Sequence, residues 1–407
     1  MKSKNIKRGN KLKNIFPQNI KEILEILEKR GAKPYLVGGC VRDIFMGSTP
    51  HDYDITSCAS PDDVIVWFEK LGYKTIDQGK KFGTIGVLTD SGVVEITPYR
   101  TESEYNDMRH PEKVEFVSDI RLDLSRRDFT INAMAMNLSG ELLDFFGGKQ
   151  DIERRIIRCV GNPGERFRED ALRILRALRF AARFGFEIEA ETDAAMKECK
   201  GLLHNISKER IQSELRGTLL SKGAYEVLKN GEEIIREVIP GFTPHSFLIG
   251  TCGDFALRLF ACIYKESYEK ASEICSLLKL SNAESEKILS LHRIYNNQVE
   301  FDKDGQIVFN KKIKYLFCDY PTEYIFDIFD FTKSDKTLAE EFSKNGIYTQ
   351  GALALGGGDI AATGMFPKNM TAKLLLQVLY AVCDGSLENS REAIFLFLKN
   401  FDISKLA

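Results

Sequence analysis

The sequence has few features that would tie it to metal scaffolds, export or membranes. Its nine cysteines (40, 58, 159, 199, 252, 262, 275, 318, 383) include no Cys-x-x-Cys pair, which argues against a zinc site or disulfide framework and fits a reducing compartment. No apolar run approaches the ~20 residues that span a bilayer. The start, MKSKNIKRGNKLKNIF, is basic but has no apolar centre of the kind that directs export. Formal net charge is only -2, so no bulk charge marks a nucleic-acid binder. Basic charge is local instead. Lys2, Lys4, Lys7, Arg8, Lys11 and Lys13 form an acid-free segment that reads as a solvated tail. A cytoplasmic protein with no membrane attachment and no protein partner is expected.

What is present fits a multidomain protein. A chain of 407 residues exceeds one compact core, so two to four domains are expected. QNIKEILEILEKRG has the apolar spacing of an amphipathic helix, and KPYLVGG reads as a buried strand entering a glycine turn that opens a helix. HDYDI alternates like a strand. Ser60-Pro61-Asp62 has the N-cap, first-turn proline and acid of a helix start. KFGTIGVLT and VVEITPYR flank Asp90-Ser91-Gly92 as a β-hairpin. A polar stretch runs from Thr101 to about Ser125, and beyond residue 150 the pattern is helical. An α+β fold follows: a small mixed sheet with flanking helices, then an all-α remainder. The expected divisions are a catalytic head over 1–149, a helical neck over 150–220, a body over 221–300 and a tail over 301–407.

Two acids one residue apart raise the chemical question. On a strand, Asp52 and Asp54 would share a face while Tyr53 and Ile55 take the other. Neighbouring carboxylates repel unless a cation neutralises them, and all-oxygen ligation suits Mg²⁺ completed by water and phosphate oxygens. Gly38-Gly39, just upstream, would let backbone N–H groups approach an anion at a helix start, with Arg42 one turn further in. Taken together, these features point to nucleotidyl transfer.

GGCVRDIFMG followed by HDYDI resembles the signature of class II tRNA nucleotidyltransferases, the CCA-adding enzymes, and of the bacterial poly(A) polymerases; the head resembles that of the polymerase-β superfamily. The resemblance implies that Asp52 and Asp54 hold two Mg²⁺ ions and that Gly39 and Arg42 contact the triphosphate. Glu95 is the candidate third carboxylate. RRDFTINAMAMN resembles the family's ribose-contacting motif, which implies nucleotide contact by Arg127 and ribose contact by Asp128. ISKERIQSEL resembles a later motif that braces the templating helix, with Ser207 as its N-cap and Arg210 where a capping-box acid would stand. The tail resembles that of Gram-positive-type enzymes, although KNMTAK replaces their usual glycine-rich stretch.

Between Ala171 and Phe186 every charged residue is arginine: 173, 176, 179 and 183. Such a face suits something anionic or planar. Asp170 stands one turn before Arg173. Cytosine and adenine each present an amino donor beside a ring-nitrogen acceptor. A carboxylate and a guanidinium side by side match both bases, whereas uracil and guanine leave both groups unpaired. EDALRILRALRF also resembles the family's base-reading motif, which brings Arg176 and Arg179 into the nucleotide site. The reaction expected is Mg²⁺-dependent addition of C, C and A to the tRNA 3′ end from CTP and ATP, without a nucleic-acid template. The acceptor end and elbow of tRNA are the expected surfaces of contact. The resemblance also implies that a loop in the polar stretch lets the site switch from C to A, so the full-length loop around His110 favours complete CCA addition. The alternatives are an enzyme adding A alone, to tRNA or as poly(A), and an inactive RNA-binding module of the same fold.

Overall fold

The computed structural model describes residues 16–80, 83–103, 113–250 and 253–402. The basic segment Lys2–Lys13 and the loop around His110 lie outside the described residues. The chain forms two compact units, Met1–Phe242 and Thr243–Ala407. The first contains the expected head and neck and the beginning of the expected body.

The first unit begins with α1 (Gln18–Lys29), which buries Ile20, Ile23, Leu24 and Leu27, the stripe its spacing foretells. Strand β1 (Tyr35–Val37) leads into α2 (Gly39–Phe45), and β2 (Asp54–Ser57) into α3 (Pro61–Glu69). Ser60 caps α3 by accepting the Asp63 N–H at 3.1 Å. Strand β3 (Lys74–Ile76) precedes the hairpin of β4 (Ile85–Thr89) and β5 (Gly92–Pro98). The polar stretch is not all loop: β6 (Arg100–Ser103) pairs antiparallel with β7 (Lys113–Phe116), and α4 (Ile120–Ser125) follows. Strands β8 (Ala135–Met136) and β9 (Leu142–Leu143) complete a seven-stranded sheet of order β3-β4-β5-β2-β1-β8-β9. Within this sheet, among the described residues, β2–β5 is the parallel pairing and the others are antiparallel.

This sheet separates hydrophobic packing from chemistry. Leu36, Ile55, Ile85, Val87, Val94 and Ile96 share one buried cluster with Leu24, Leu27, Val64 and Phe68 of α1 and α3. Fully burying each such side chain stabilises by about 1.5–3 kcal/mol. Strand alternation sends Asp54 and Thr56, and beside them Glu95 and Thr97, to the opposite face.

Helices α5 (Gly148–Arg154), α6 (Pro163–Glu169), α7 (Leu172–Phe184), α8 (Ala190–Cys199), α9 (Lys208–Leu219), α10 (Ala224–Asn230) and α11 (Glu232–Val238) complete the unit. Helix α7 buries Leu172, Ile174, Leu175, Ala177, Leu178 and Ala181. It crosses α9 where Gly217 leaves room: a Cβ there would lie 2.5 Å from Cδ of Arg179.

The second unit is built of helices from Phe255–Ile263 to Arg391–Lys399. It holds an aromatic-rich core around Phe260, Tyr264, Tyr295 and Phe331 and a separate aliphatic core around Leu374, Val378, Ile394 and Leu398. Among the described residues no helix is long and apolar enough to cross a membrane.

Candidate active site

The parallel register of β2 and β5 sets Asp54 directly beside Glu95. Both point into an open cleft of about 300 Å³ whose walls include Val37, Thr97, Arg100, Asp123, Arg126 and Arg127. Although Asp54 keeps contact with solvent, the surrounding protein raises its pKa; Glu95 and Asp52 add to the rise and Arg127 opposes it. Asp52 itself is exposed and precedes the strand, which starts only at Asp54. The expected strand pair is therefore one loop acid beside one strand acid. Among the described residues no group of three or more His, Cys, Asp or Glu is gathered tightly enough to hold a metal alone. The donor set nevertheless fits a hard divalent cation, which needs few carboxylates and takes its other ligands from water and phosphate. The charge that the surrounding protein, and then Glu95 and Asp52, disfavour on Asp54 is what such a cation would neutralise.

Beside the acids lies the glycine turn. Gly38 holds φ +72° and ψ −130°, a conformation open in practice only to glycine. A Cβ there would also lie 2.9 Å from Nη1 of Arg127. Arg42, expected to reach phosphate, is buried. It donates to Asp43 Oδ1 through Nε at 2.9 Å and Nη2 at 2.8 Å, and to Asn132 Oδ1 at 2.7 Å. Its guanidinium lies 4.7 Å from the ring centre of Phe184, and burial lowers its pKa. Arg42 thus fastens α2 to the Thr130–Asn132 turn. Arg127 donates to Asp123 at 3.2 Å, while its Nε is buried with no partner.

A second cleft, of about 280 Å³, shares Arg126 and Arg127 with the first and adds Asp128, Asp170, Leu172, Arg173, Arg176 and Arg210. Asp128 is gripped by Arg176 through Nε at 3.0 Å and Nη2 at 2.7 Å, by Asn132 at 3.1 Å and by the Phe129 N–H at 2.8 Å. Burial works against its charge, but these partners outweigh it and its pKa is lowered. Arg176 and Arg179 both pair with buried Glu214 of α9. Asp170 and Arg173 do face the same cleft, yet they do not pair with each other. Asp170 accepts the Leu172 N–H at 3.1 Å and Arg210 at 2.8 Å. Arg173 donates to Glu169 at 2.7 Å and to the carbonyls of Arg166 and Arg126 at 3.2 and 3.0 Å. Ser207 occupies the N-cap of α9 without a capping hydrogen bond.

The structure therefore gathers Gly38, Asp54, Glu95, Arg127, Asp128, Asp170, Arg173 and Arg176 around two adjoining clefts. Arg42 lies packed behind them, and Arg179 is held against α9. Sequence reasoning missed Asp123, Arg126, Glu169 and Glu214 and gave Arg210 no partner. Only Arg210 carried a signal, being a base in a slot where a capping acid was expected.

The chain is similar to known proteins along nearly its whole length. Residues 34–158 match the family described as the Poly A polymerase head domain, and residues 185–230 that described as the probable RNA and SrmB-binding site of polymerase A. The CCA-adding enzyme of Bacillus pumilus is 51% identical over 203 residues, which span 50% of this chain and 49% of that protein. That of Lactobacillus delbrueckii subsp. bulgaricus is 33% identical over 405 residues, covering 95% of this chain and 98% of the relative. The crystal structure of the Bacillus stearothermophilus CCA-adding enzyme in complex with CTP superposes with a TM-score of 0.69 at 30% identity, over 94% of this chain and 96% of that one. Likeness that runs nearly end to end in both sequence and structure places this chain in the family of CCA-adding enzymes.

Proposed function

We propose that this chain adds C, C and A to the 3′ end of tRNA from CTP and ATP, releasing pyrophosphate and using no nucleic-acid template. The observation that carries the reading is the shared wall. An acidic sheet face suited to cations and a cleft bearing Asp170 and Arg173 adjoin through Arg126 and Arg127. A nucleoside triphosphate has the matching polarity, with phosphates at one end and a hydrogen-bonding edge at the other.

Asp52 and Asp54, with Glu95 beside them, would hold Mg²⁺, two ions on this reading, which would supply activation of the tRNA 3′-hydroxyl and neutralisation of the departing pyrophosphate. Gly38, Gly39 and Arg127 border the triphosphate. Arg42 braces their turn, and its bonds to Asp43 and Asn132 leave one hydrogen each on Nη1 and Nη2. Asp128 faces the ribose, and Arg176 and Arg179 hold that side of the cleft. Base choice lies with Asp170 and Arg173. Each Asp170 oxygen has one protein donor, and a carboxylate has about four acceptor positions, so an exocyclic amino group can still be received. Both Nη1 hydrogens of Arg173 are used and one on Nη2, which leaves Nε and one Nη2 hydrogen for a ring nitrogen. Catalysis is otherwise positioning and charge compensation. The tRNA acceptor end and elbow would meet the helical part of the chain, by shape and phosphate contacts, in the cytoplasm.

The test is to incubate tRNA ending before CCA with each labelled nucleotide in turn. Incorporation of C, then of A once CC is present, and of neither U nor G, is expected. Use of ATP alone would favour A-addition, and no transfer at all would favour an inactive RNA-binding module.

A further inference from the structure

Asp123 accepts four hydrogen bonds, as Asp128 does, and neither the acid pair nor the base reader accounts for it. It is fully buried. Its Oδ1 accepts Nε and Nη2 of Arg126 at 3.1 and 2.8 Å and the Arg100 N–H at 3.4 Å; its Oδ2 accepts Nη2 of Arg127 at 3.2 Å. A carboxylate taken out of water this way persists as an anion only because two guanidinium groups face it. Those two groups form the wall common to both clefts. Arg127 also lies against Gly38 and within electrostatic reach of Asp54, while the Arg126 carbonyl receives Nη2 of Arg173.

We infer that Asp123 is a positioning residue for nucleotidyl transfer, acting through Arg126 and Arg127 to fix the triphosphate side and, by way of the Arg126 carbonyl, the base-reading Arg173. This inference rests on the proposed function above. Adjacent guanidiniums repel, and without an anion between them they would separate into the clefts. One buried acid therefore sets the distance between the phosphate-facing and base-facing groups.

The test compares wild type with Asp123→Asn and Asp123→Glu in single-nucleotide extension, alongside thermal unfolding. Asn keeps the shape but loses the charge, and turns an N–H₂ toward one arginine. Misplacement of reacting groups by about 1 Å can cost about 100-fold. kcat/KM is expected to fall on the order of 100-fold with CTP and ATP alike, with preference for C over U loosened as well. Asp123→Glu, one methylene longer with the charge retained, should recover part of the loss and serves if the Asn variant does not fold. A merely structural acid would lower the melting temperature yet leave kcat/KM and the C-over-U ratio at wild-type values in the folded protein; that result in either variant overturns the inference. Failure of wild type itself to use CTP would instead overturn the proposed function.

Discussion

Replacing Gly38 with alanine tests how closely the glycine turn and the arginine wall are fitted. Gly38 lies at φ +72° and ψ −130°, where a residue with a side chain is strained by about 1–3 kcal/mol. The added methyl carbon would also sit 2.9 Å from Nη1 of Arg127. Because that nitrogen is the far end of a flexible side chain, the guanidinium moves and the backbone does not. The group displaced is the one paired with Asp123 at 3.2 Å and facing Asp54. Gly38→Ala should therefore destabilise the N-terminal unit by about 1–3 kcal/mol, roughly 2–12 °C in Tm. It should also lower kcat/KM for CTP and ATP together by about tenfold or more. Gly39→Ala is the control. Gly39 has no left-handed φ, and its Cβ would meet Arg42 Nη2 at 3.4 Å, so its loss of Tm should be much smaller. Calorimetry and extension of tRNA ending before CCA measure the two quantities. Equal behaviour of the two variants would refute the fit of Gly38 against Arg127.

Loss of Asp170 and Arg173 together to alanine should weaken rejection of UTP and GTP on the order of 100-fold, since discrimination by hydrogen bonding requires groups that are left unpaired by the wrong base; unchanged selectivity in competition assays would remove them as readers. Glu214→Ala should destabilise the unit by about 3 kcal/mol, the lower end for a broken buried pair because Arg176 retains Asp128; a Tm within a degree or so of wild type would contradict this. Asp128 has its folded pKa held below the unfolded 3.8. Its stabilisation is thus present above that value and lost as pH falls through the lower folded one. Asp128→Asn should accordingly flatten the acid limb of Tm against pH between about pH 2 and 5, and an unaltered limb would count against it. Asp54 has the opposite sign: its folded pKa is raised, so ionisation opposes folding as pH rises through it. Asp54→Asn is expected to abolish transfer while raising Tm at neutral pH in the absence of divalent cations, and a lowered Tm would disprove the charge conflict.

Local pattern made much of the fold legible. The α1 stripe, the Ser60 cap and the β4–β5 hairpin depend on contacts within a few residues, and each stands where the sequence places it. Strands β6 and β7 and helix α4 did not announce themselves, because charged and polar residues fill a stretch whose order comes from pairing and from Asp123. Asp54 and Glu95 could be suspected from alternation, but their adjacency needs the parallel β2–β5 register. The partners of the arginines were the least legible. Arg42 meets Asn132 and Arg176 meets Asp128, 90 and 48 positions apart in sequence; Arg179 meets Glu214 and Arg210 meets Asp170, 35 and 40 apart. Helical spacing suggested that Asp170 and Arg173 share a face of one helix; both line the cleft, but Asp170 is extended and ends α6, before α7 begins at Leu172. Spacing could not show that Glu169 and Arg210 supply their ion pairs.

On the proposed function, the three consecutive residues Arg126, Arg127 and Asp128 constrain how one site serves two bases. Arg126 joins Asp123 to Arg173, Arg127 stands beside the glycine turn and the acids, and Asp128 grips Arg176. Successive Cα atoms are fixed about 3.8 Å apart, so the phosphate side and the base side cannot slide past each other unless this segment bends. Each of the three side chains is committed to a buried or half-buried partner, and bending would break several charged contacts at once. A pyrimidine and a purine nevertheless carry their amino-plus-acceptor edge at different reach from the ribose. The difference must therefore be absorbed at the far end of the base cleft, by Asp170 turning against Arg210, while Arg173, held to the Arg126 carbonyl, and the acid face stay still.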